Sequence, residues 1–202
     1  MLTLLLSSLL VWPAQAQLSR FENIDPPPHM PDDYVIDFRE YGDETRQTLT
    51  YSCSASEEPR PLLVYLDEGY WADGQDASED DYLAPYALDR GYCHVDVRTR
   101  QNAKVDEALE DIVAALFYMR ENVEEIGHDP TRIVLVGRGS AATIAALIGT
   151  DPRYLRSGGF DFDILRGVIL LEPEALDIGA RAAASRRLRE SYFPEFYGVD
   201  RS

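Results

Sequence analysis

The chain has 202 residues, 45% of them hydrophobic, and its formal net charge is −17 at pH 7. This length is typical of one domain, and the apolar content is sufficient for a buried core. The acidic excess argues against nucleic acid and anionic membrane surfaces as partners, because it would repel both.

The N-terminus has the features of a secretory signal peptide over residues 1–16. Leu2 to Trp12 are apolar but too few to span a bilayer, and Ala14-Gln15-Ala16 fits an A-x-A cleavage site. A charged n-region is missing, which leaves open a start codon farther upstream. We expect a periplasmic or secreted protein, cleaved near Ala16, that is not an integral membrane protein.

The remaining chain is divided into a leader and a domain. Residues 17–32 are polar and proline-rich, which predicts a leader, and residues 33–202 are predicted to form the domain. Apolar and alternating patterns in the domain predict strands at residues 34–38, 47–53, 62–66, 92–97, 133–136 and 167–171. Apolar positions at helical spacing predict a helix from about Asn102 to Val123. This order of strands and helices predicts a mostly parallel α/β sheet flanked by helices.

A tight turn follows the strand at residues 133–136. It reads Gly137-Arg138-Gly139-Ser140-Ala141, and an apolar helix is predicted directly after it. A nucleophile elbow has this context, because its G-x-S-x-G turn presents a serine oxygen between strand and helix. The middle position here is Gly139, which has no side chain. The turn is therefore predicted to keep the shape of an elbow without its nucleophile.

Ser140 is the fallback nucleophile, since it directly follows Gly139. No base is evident to take its proton, and we expect its hydroxyl to cap the helix N-terminus instead.

A second alternative is a dinucleotide-binding turn, because Gly137-x-Gly139-x-x-Ala142 lies between a strand and a helix. That motif requires an acidic residue about 20 positions later, at the end of the next strand. Asp161 and Asp163 precede that strand and Glu172 comes too late, so this remains a minor alternative.

Several segments, taken together, resemble the carboxylesterase and feruloyl-esterase-like branch of the α/β-hydrolases. They are residues 41–42, 46–47, 62–71, 89–98, 108–120, 127–146 and 166–173. The resemblance covers nearly the whole chain that follows the predicted signal peptide. It implies an α/β-hydrolase-like sheet, truncated after about the sixth strand, in a protein similar to carboxylic-ester hydrolases.

The resemblance also implies an oxyanion loop with the sequence His-Gly-Gly-Gly-Trp, whose backbone N–H groups stabilise negative charge. This chain reads Asp67-Glu68-Gly69-Tyr70-Trp71 there, and only Gly69 and Trp71 match. The two carboxylates would oppose a forming oxyanion, unless they only hydrogen-bond the neighbouring loop. Tyr70 and Trp71 are either pocket residues or ordinary packing residues.

The order of the triad in this fold is serine, acid and histidine, and no histidine follows the turn in this sequence. We expect His94 to be packed in a strand and His128 to lie on the surface. The prediction is therefore a catalytically inactive relative of esterases: a pseudoenzyme, a binding protein or a remnant. An active esterase with atypical machinery, or a fragment of one, is the alternative.

No cofactor is predicted, and the ligand is an unknown small molecule or none. The acidic run at residues 76–81 lacks the ligand spacing of a calcium loop, so no metal site is predicted either.

In the strand order of α/β-hydrolases, the second strand lies antiparallel to the fourth, which brings Cys53 close to Cys93. A disulfide between them and two separate buried thiols are equal alternatives. The last predicted strand, residues 167–171, leaves an apolar edge. We expect residues 174–202 or a second copy of the chain, as a homodimer, to cover this edge. An arginine cluster within that tail is either a solvated helix face or a docking surface; it comprises Arg181, Arg186, Arg187 and Arg189.

Overall fold

A computed structural model describes residues 32–56, 58–66, 83–100, 103–173 and Leu176. The six strands are β1 (Tyr34–Glu40), β2 (Thr48–Ser54), β3 (Arg60–Leu66), β4 (Cys93–Arg98), β5 (His128–Arg138) and β6 (Leu165–Leu171). The helices are α1 (Leu83–Asp89), α2 (Val105–Glu121), α3 (Val123–Ile126), α4 (Ser140–Thr150) and α5 (Pro152–Ser157), and a 3-10 turn spans Phe162–Ile164. The predicted signal peptide, nearly all of the leader, the loop Asp67–Trp71, the acidic run and the arginine cluster lie outside the described residues.

The strands form one sheet in the order β1-β2-β4-β3-β5-β6. The β1–β2 and β2–β4 pairs are antiparallel, whereas β3–β4, β3–β5 and β5–β6 are parallel. This confirms the predicted mostly parallel α/β sheet and the antiparallel position of β2 beside β4. The carboxyl ends of β3, β5 and β6 therefore lie at the same end of the sheet, which is where open α/β folds bind their ligands.

The main core lies between one face of the sheet and helices α2, α4 and α5. Alternate strand residues point into it, including Leu62, Val64 and Leu66, which are fully buried. Helix α2 contributes Ile112 and Leu116. Each such side chain stabilises the fold by about 1.5–3 kcal/mol relative to exposure. The buried residues of α1 are not part of this cluster, and α1 contacts β4 and β2.

The predicted long helix is α2, and its ends at Val105 and Glu121 are close to the predicted ends near Asn102 and Val123. A four-residue helix that was not predicted, α3, follows it. Helices α1 and α5 were not predicted. They have seven and six residues, too few for apolar periodicity to show. Helix α5 is instead specified by its start, where Asp151 accepts a hydrogen bond from the Arg153 N–H and Pro152 occupies the first turn.

A buried carboxylate ties the β1–β2 hairpin to α2. Asp111 is 0% exposed and accepts hydrogen bonds from Gln47 Nε2 at 2.7 Å and the Arg100 backbone N–H at 2.8 Å. The Arg100 guanidinium also pairs with it. Because every bond to this carboxylate is charge-assisted, the cluster holds the hairpin in one position against the helix.

A disulfide joins β2 to β4 through Cys53 and Cys93, whose Cα atoms are 4.4 Å apart. The sequence contains only these two cysteines. The link adds a covalent constraint across two strands that already pair antiparallel.

Candidate active-site elbow

The connection from β5 to α4 is a one-residue turn at Gly139, with φ 57° and ψ −120°. The Gly139 N–H donates a hydrogen bond to the Leu171 carbonyl at 2.9 Å, which anchors the turn to the end of β6. This backbone conformation is strained for a residue with a Cβ atom, by about 1–3 kcal/mol, but glycine adopts it freely. Strand, turn and helix therefore have the geometry of an elbow, with no side chain at the apex.

Gly137 allows the strand and the helix to approach each other closely. A Cβ atom at this position would lie 2.5 Å from the Ala141 carbonyl oxygen and 2.7 Å from Ala142 Cα. Both obstacles are backbone atoms, so no side-chain movement could relieve the overlap. The first glycine of the turn is therefore required by packing, independently of any chemistry.

Ser140 is the first residue of α4, and the capping position before it is occupied by Gly139. The N-cap of α4 is therefore Gly139 rather than Ser140. The apex residue has left the helical conformation, so the cap falls one residue earlier than the sequence suggested. Ser140 is only 2% exposed, which makes its hydroxyl a poor candidate for attack on a substrate.

His94 is packed within β4, as predicted, with 1% exposure and its ring centroid 6.3 Å from that of Tyr65. In the register of the sheet, His94 is opposite Leu63 of β3, and Leu63 is opposite Val134 of β5. Gly139 lies five residues beyond Val134, just past the end of β5, which is roughly 16 Å at the rise of a strand. His94 is therefore too far from the elbow to act as its base.

His128 is not on the surface, which corrects the prediction for this residue. It begins β5 opposite Arg60, and it is 1% exposed. The pairing then jumps from His128 to Ile133, so the intervening residues bulge out of the strand while the imidazole stays inside. Neither ring nitrogen has a hydrogen-bond partner among the described residues. Burial lowers the pKa of His128 from 6.5 to about 4, and the nearby Asp129 carboxylate opposes this shift only partly.

The acidic residues considered for a dinucleotide site have different surroundings. Asp161 and Asp163 precede β6, so they lie at the end of the sheet where the parallel strands begin, opposite the elbow. Glu172 follows β6 at φ 48°, with its side chain 79% exposed and 3.9 Å from the Arg138 guanidinium. In the part of the chain that the structure describes, no three metal-ligating side chains cluster. No helix there is both long and apolar enough to cross a bilayer.

The sequence matches one protein family and is similar to several esterases. The family model described as BD-FAE matches residues 50–162, more than half of the chain. The probable isoprenylcysteine alpha-carbonyl methylesterase ICMEL1 of Arabidopsis thaliana is 28% identical over 131 residues, 60% of this chain and 26% of that protein. Esterase LipC of Mycobacterium tuberculosis is 25% identical over 121 residues, 56% of this chain and 30% of that protein. The chain thus spans about a quarter to a third of these relatives.

Solved structures show the same fold at low sequence identity. Esterase B from Lactobacillus Rhamnosis superposes with a TM-score of 0.66 at 19% identity, over 93% of this chain and 62% of that one. A bacterial heroin esterase superposes with a TM-score of 0.56 at 20% identity, over 79% of this chain and 50% of that one. The residues matched by the family model include the turn at Gly137–Ala141.

Proposed function

The chain belongs to the BD-FAE family of esterase-like α/β-hydrolases, and from this premise we propose that it is a member without esterase activity. A binding protein and a remnant of an esterase both fit this proposal. The proposal rests on the elbow, the turn at which α/β-hydrolases present a nucleophile.

The observation that carries the proposal is Gly139 at the apex of the turn. Its backbone angles and its hydrogen bond to Leu171 keep the turn in place. An acyl-transfer reaction through this elbow requires a nucleophilic side chain at that position. Glycine supplies none.

The neighbouring hydroxyl does not replace it. Ser140 lies inside the first turn of α4 and is buried. Its Cα is displaced from the apex, and the register of the sheet keeps His94 and His128 of the described residues distant from it. These positions favour a protein without esterase activity over an esterase that uses Ser140 as its nucleophile.

The test is an ester-hydrolysis assay on the full chain with phenyl acetate and 4-nitrophenyl butyrate. We expect the rate to equal that of buffer containing an equal mass of an inert protein. Treatment with a fluorophosphonate should leave the intact mass unchanged, because no serine is activated. Ser140→Ala should behave identically to the parent in both measurements. Ser157→Ala, at an exposed serine of α5, is the matched control.

Turnover or a covalent adduct that disappears in Ser140→Ala and persists in Ser157→Ala would overturn the proposal. It would identify Ser140 as the nucleophile. Turnover that survives both substitutions would also refute inactivity and would place the chemistry elsewhere in the chain.

We also propose that the protein is exported. The features of residues 1–16 and the Cys53–Cys93 disulfide support this, because disulfides persist mainly in oxidising compartments. Expression of the full chain in a bacterium, followed by fractionation and N-terminal sequencing, tests it. The expected result is periplasmic protein that begins at Gln17. Cytoplasmic protein that retains Met1 would contradict export.

A further inference from the structure

Among the described residues, β1 is the edge strand at one side of the sheet, and it has an exposed apolar surface. Its residues Val35, Ile36 and Phe38 are 55%, 54% and 57% exposed. Three of the six large hydrophobic residues that are exposed in the described part of the chain lie on this one strand. An edge strand of this kind offers both unpaired backbone groups and apolar side chains to another strand.

The backbone pairing of β1 shows which groups face outward. The Asp33 carbonyl accepts from the Ala55 N–H, and the Tyr41 N–H donates to the Gln47 carbonyl. Because pairing alternates along an antiparallel strand, the odd-numbered residues of β1 bond to β2 and the even-numbered ones face away. The outward groups therefore belong to Tyr34, Ile36, Phe38 and Glu40.

A side chain covers one of these groups in the structure. The Phe38 N–H donates to Asp37 Oδ1 at 2.8 Å, while Asp37 Oδ2 accepts from Arg39 Nε at 2.7 Å. Arg39 also reaches the Glu125 carboxylate of α3 at 3.3 Å. The opposite charges at positions 37 and 39 thus flank Phe38 on the free edge.

This charge pattern is complementary to itself. When two copies of β1 lie antiparallel with Phe38 opposite Phe38, each Asp37 is opposite Arg39 of the second copy. A pairing centred one residue earlier would place Asp37 opposite Asp37, and like charges directly opposite each other destabilise a strand pair. Charge therefore favours the arrangement centred on Phe38 over the one centred on Asp37.

We propose that the protein forms a homodimer through β1, with the two strands antiparallel and centred on Phe38. The contact is isologous, so a twofold axis passes between the two Phe38 residues. The Asp37 carboxylate turns from the Phe38 N–H to Arg39 of the second copy, and the freed N–H bonds the Phe38 carbonyl of the second copy. The six-stranded sheet becomes continuous across the axis. This edge is opposite the β6 edge that the sequence suggested for a dimer, and the proposal is independent of the proposed function.

The test is sedimentation velocity on the full chain over a concentration series. The parent should sediment as a dimer at the higher concentrations. Asp37→Arg places arginine opposite arginine twice, and we expect the dimer dissociation constant to rise by about tenfold or more. The double substitution Asp37→Arg with Arg39→Asp restores opposite charges across the axis, so we expect it to recover dimerisation.

Phe38→Lys should also give monomers, because it places two like charges at the centre of the contact. Phe117→Lys is the matched control, since Phe117 is an exposed aromatic residue of α2 at 46% exposure and should not affect the dimer. Circular dichroism spectra of all variants should match that of the parent, because the substituted β1 side chains are solvent-exposed or half-buried.

Three results would overturn the proposal. A parent chain that is monomeric at every concentration has no such contact. A dimer that withstands both Asp37→Arg and Phe38→Lys forms through another surface. Failure of the charge-swapped double variant to dimerise better than Asp37→Arg would reject the arrangement centred on Phe38.

Discussion

The buried imidazole of His128 should make folding sensitive to mild acid. The pKa of His128 is about 4 in the folded chain, against 6.5 for the unfolded reference. Above about pH 6.5 the ring is neutral in both states, so it adds no pH dependence. As the pH falls from 6.5 towards 4, the unfolded chain binds a proton and the folded chain does not. Stability is therefore lost across that interval, and the loss is complete below pH 4.

The size of this loss follows from the shift in pKa. Each pKa unit corresponds to about 1.4 kcal/mol, so the full effect is about 3 kcal/mol, and about 2 kcal/mol of it is lost between about pH 7.5 and pH 5. The measurement is urea denaturation followed by far-UV circular dichroism at these two pH values. Replacement of the histidine should remove this contribution, while the titration of the carboxylates continues in parent and variant alike.

Two variants separate titration from polarity. His128→Leu and His128→Asn both abolish the titration, so both should lose about 2 kcal/mol less than the parent on acidification. The leucine variant should also be the more stable of the two, because the imidazole has no hydrogen-bond partner to replace among the described residues. An identical loss of stability in the parent and in both variants would refute the reasoning.

Three further predictions concern packing and cross-links. Gly137→Ala should destabilise the fold by about 2 kcal/mol or more, measured by thermal unfolding, because the new methyl group overlaps the Ala141 carbonyl. The unreduced, denatured protein should contain no free thiol, and reduction of Cys53–Cys93 should lower the free energy of unfolding by about 4 kcal/mol in the chain-entropy model. Asp111→Ala should cost about 3 kcal/mol in urea unfolding, because it leaves its buried donors unpaired.

Each of these predictions has a control or a contrary result. Gly167→Ala in β6 meets no atom within 4 Å, so it should have little effect, and an equal effect of Gly137→Ala would contradict the packing argument. Two titratable thiols in the unreduced protein would support the alternative of separate cysteines. Asp111→Asn keeps part of the hydrogen bonding and should be milder than Asp111→Ala.

The parts of the fold that sequence predicted are those with strong local signals. Continuous apolar runs such as residues 62–66 indicated the buried strands, and Gly137 and Gly139 indicated the turn. His128 was misplaced because its local sequence, His-Asp-Pro, is typical of a turn. Only the pairing with Arg60 shows that the strand begins there. The N-cap of α4 was expected at Ser140, because the sequence does not show that Ser140 already has a helical backbone.

The left-handed backbone at Gly139 has a consequence for how such a protein could change over time. Exchange of an apex side chain for glycine relaxes a strained peptide, whereas the reverse exchange restores the strain, about 1–3 kcal/mol, before any chemistry can be selected. A fold of ordinary stability tolerates only a few such losses. Substitution to glycine at this position therefore costs less stability than substitution from glycine to a residue with a reactive side chain. Loss of the nucleophile is easier than its recovery.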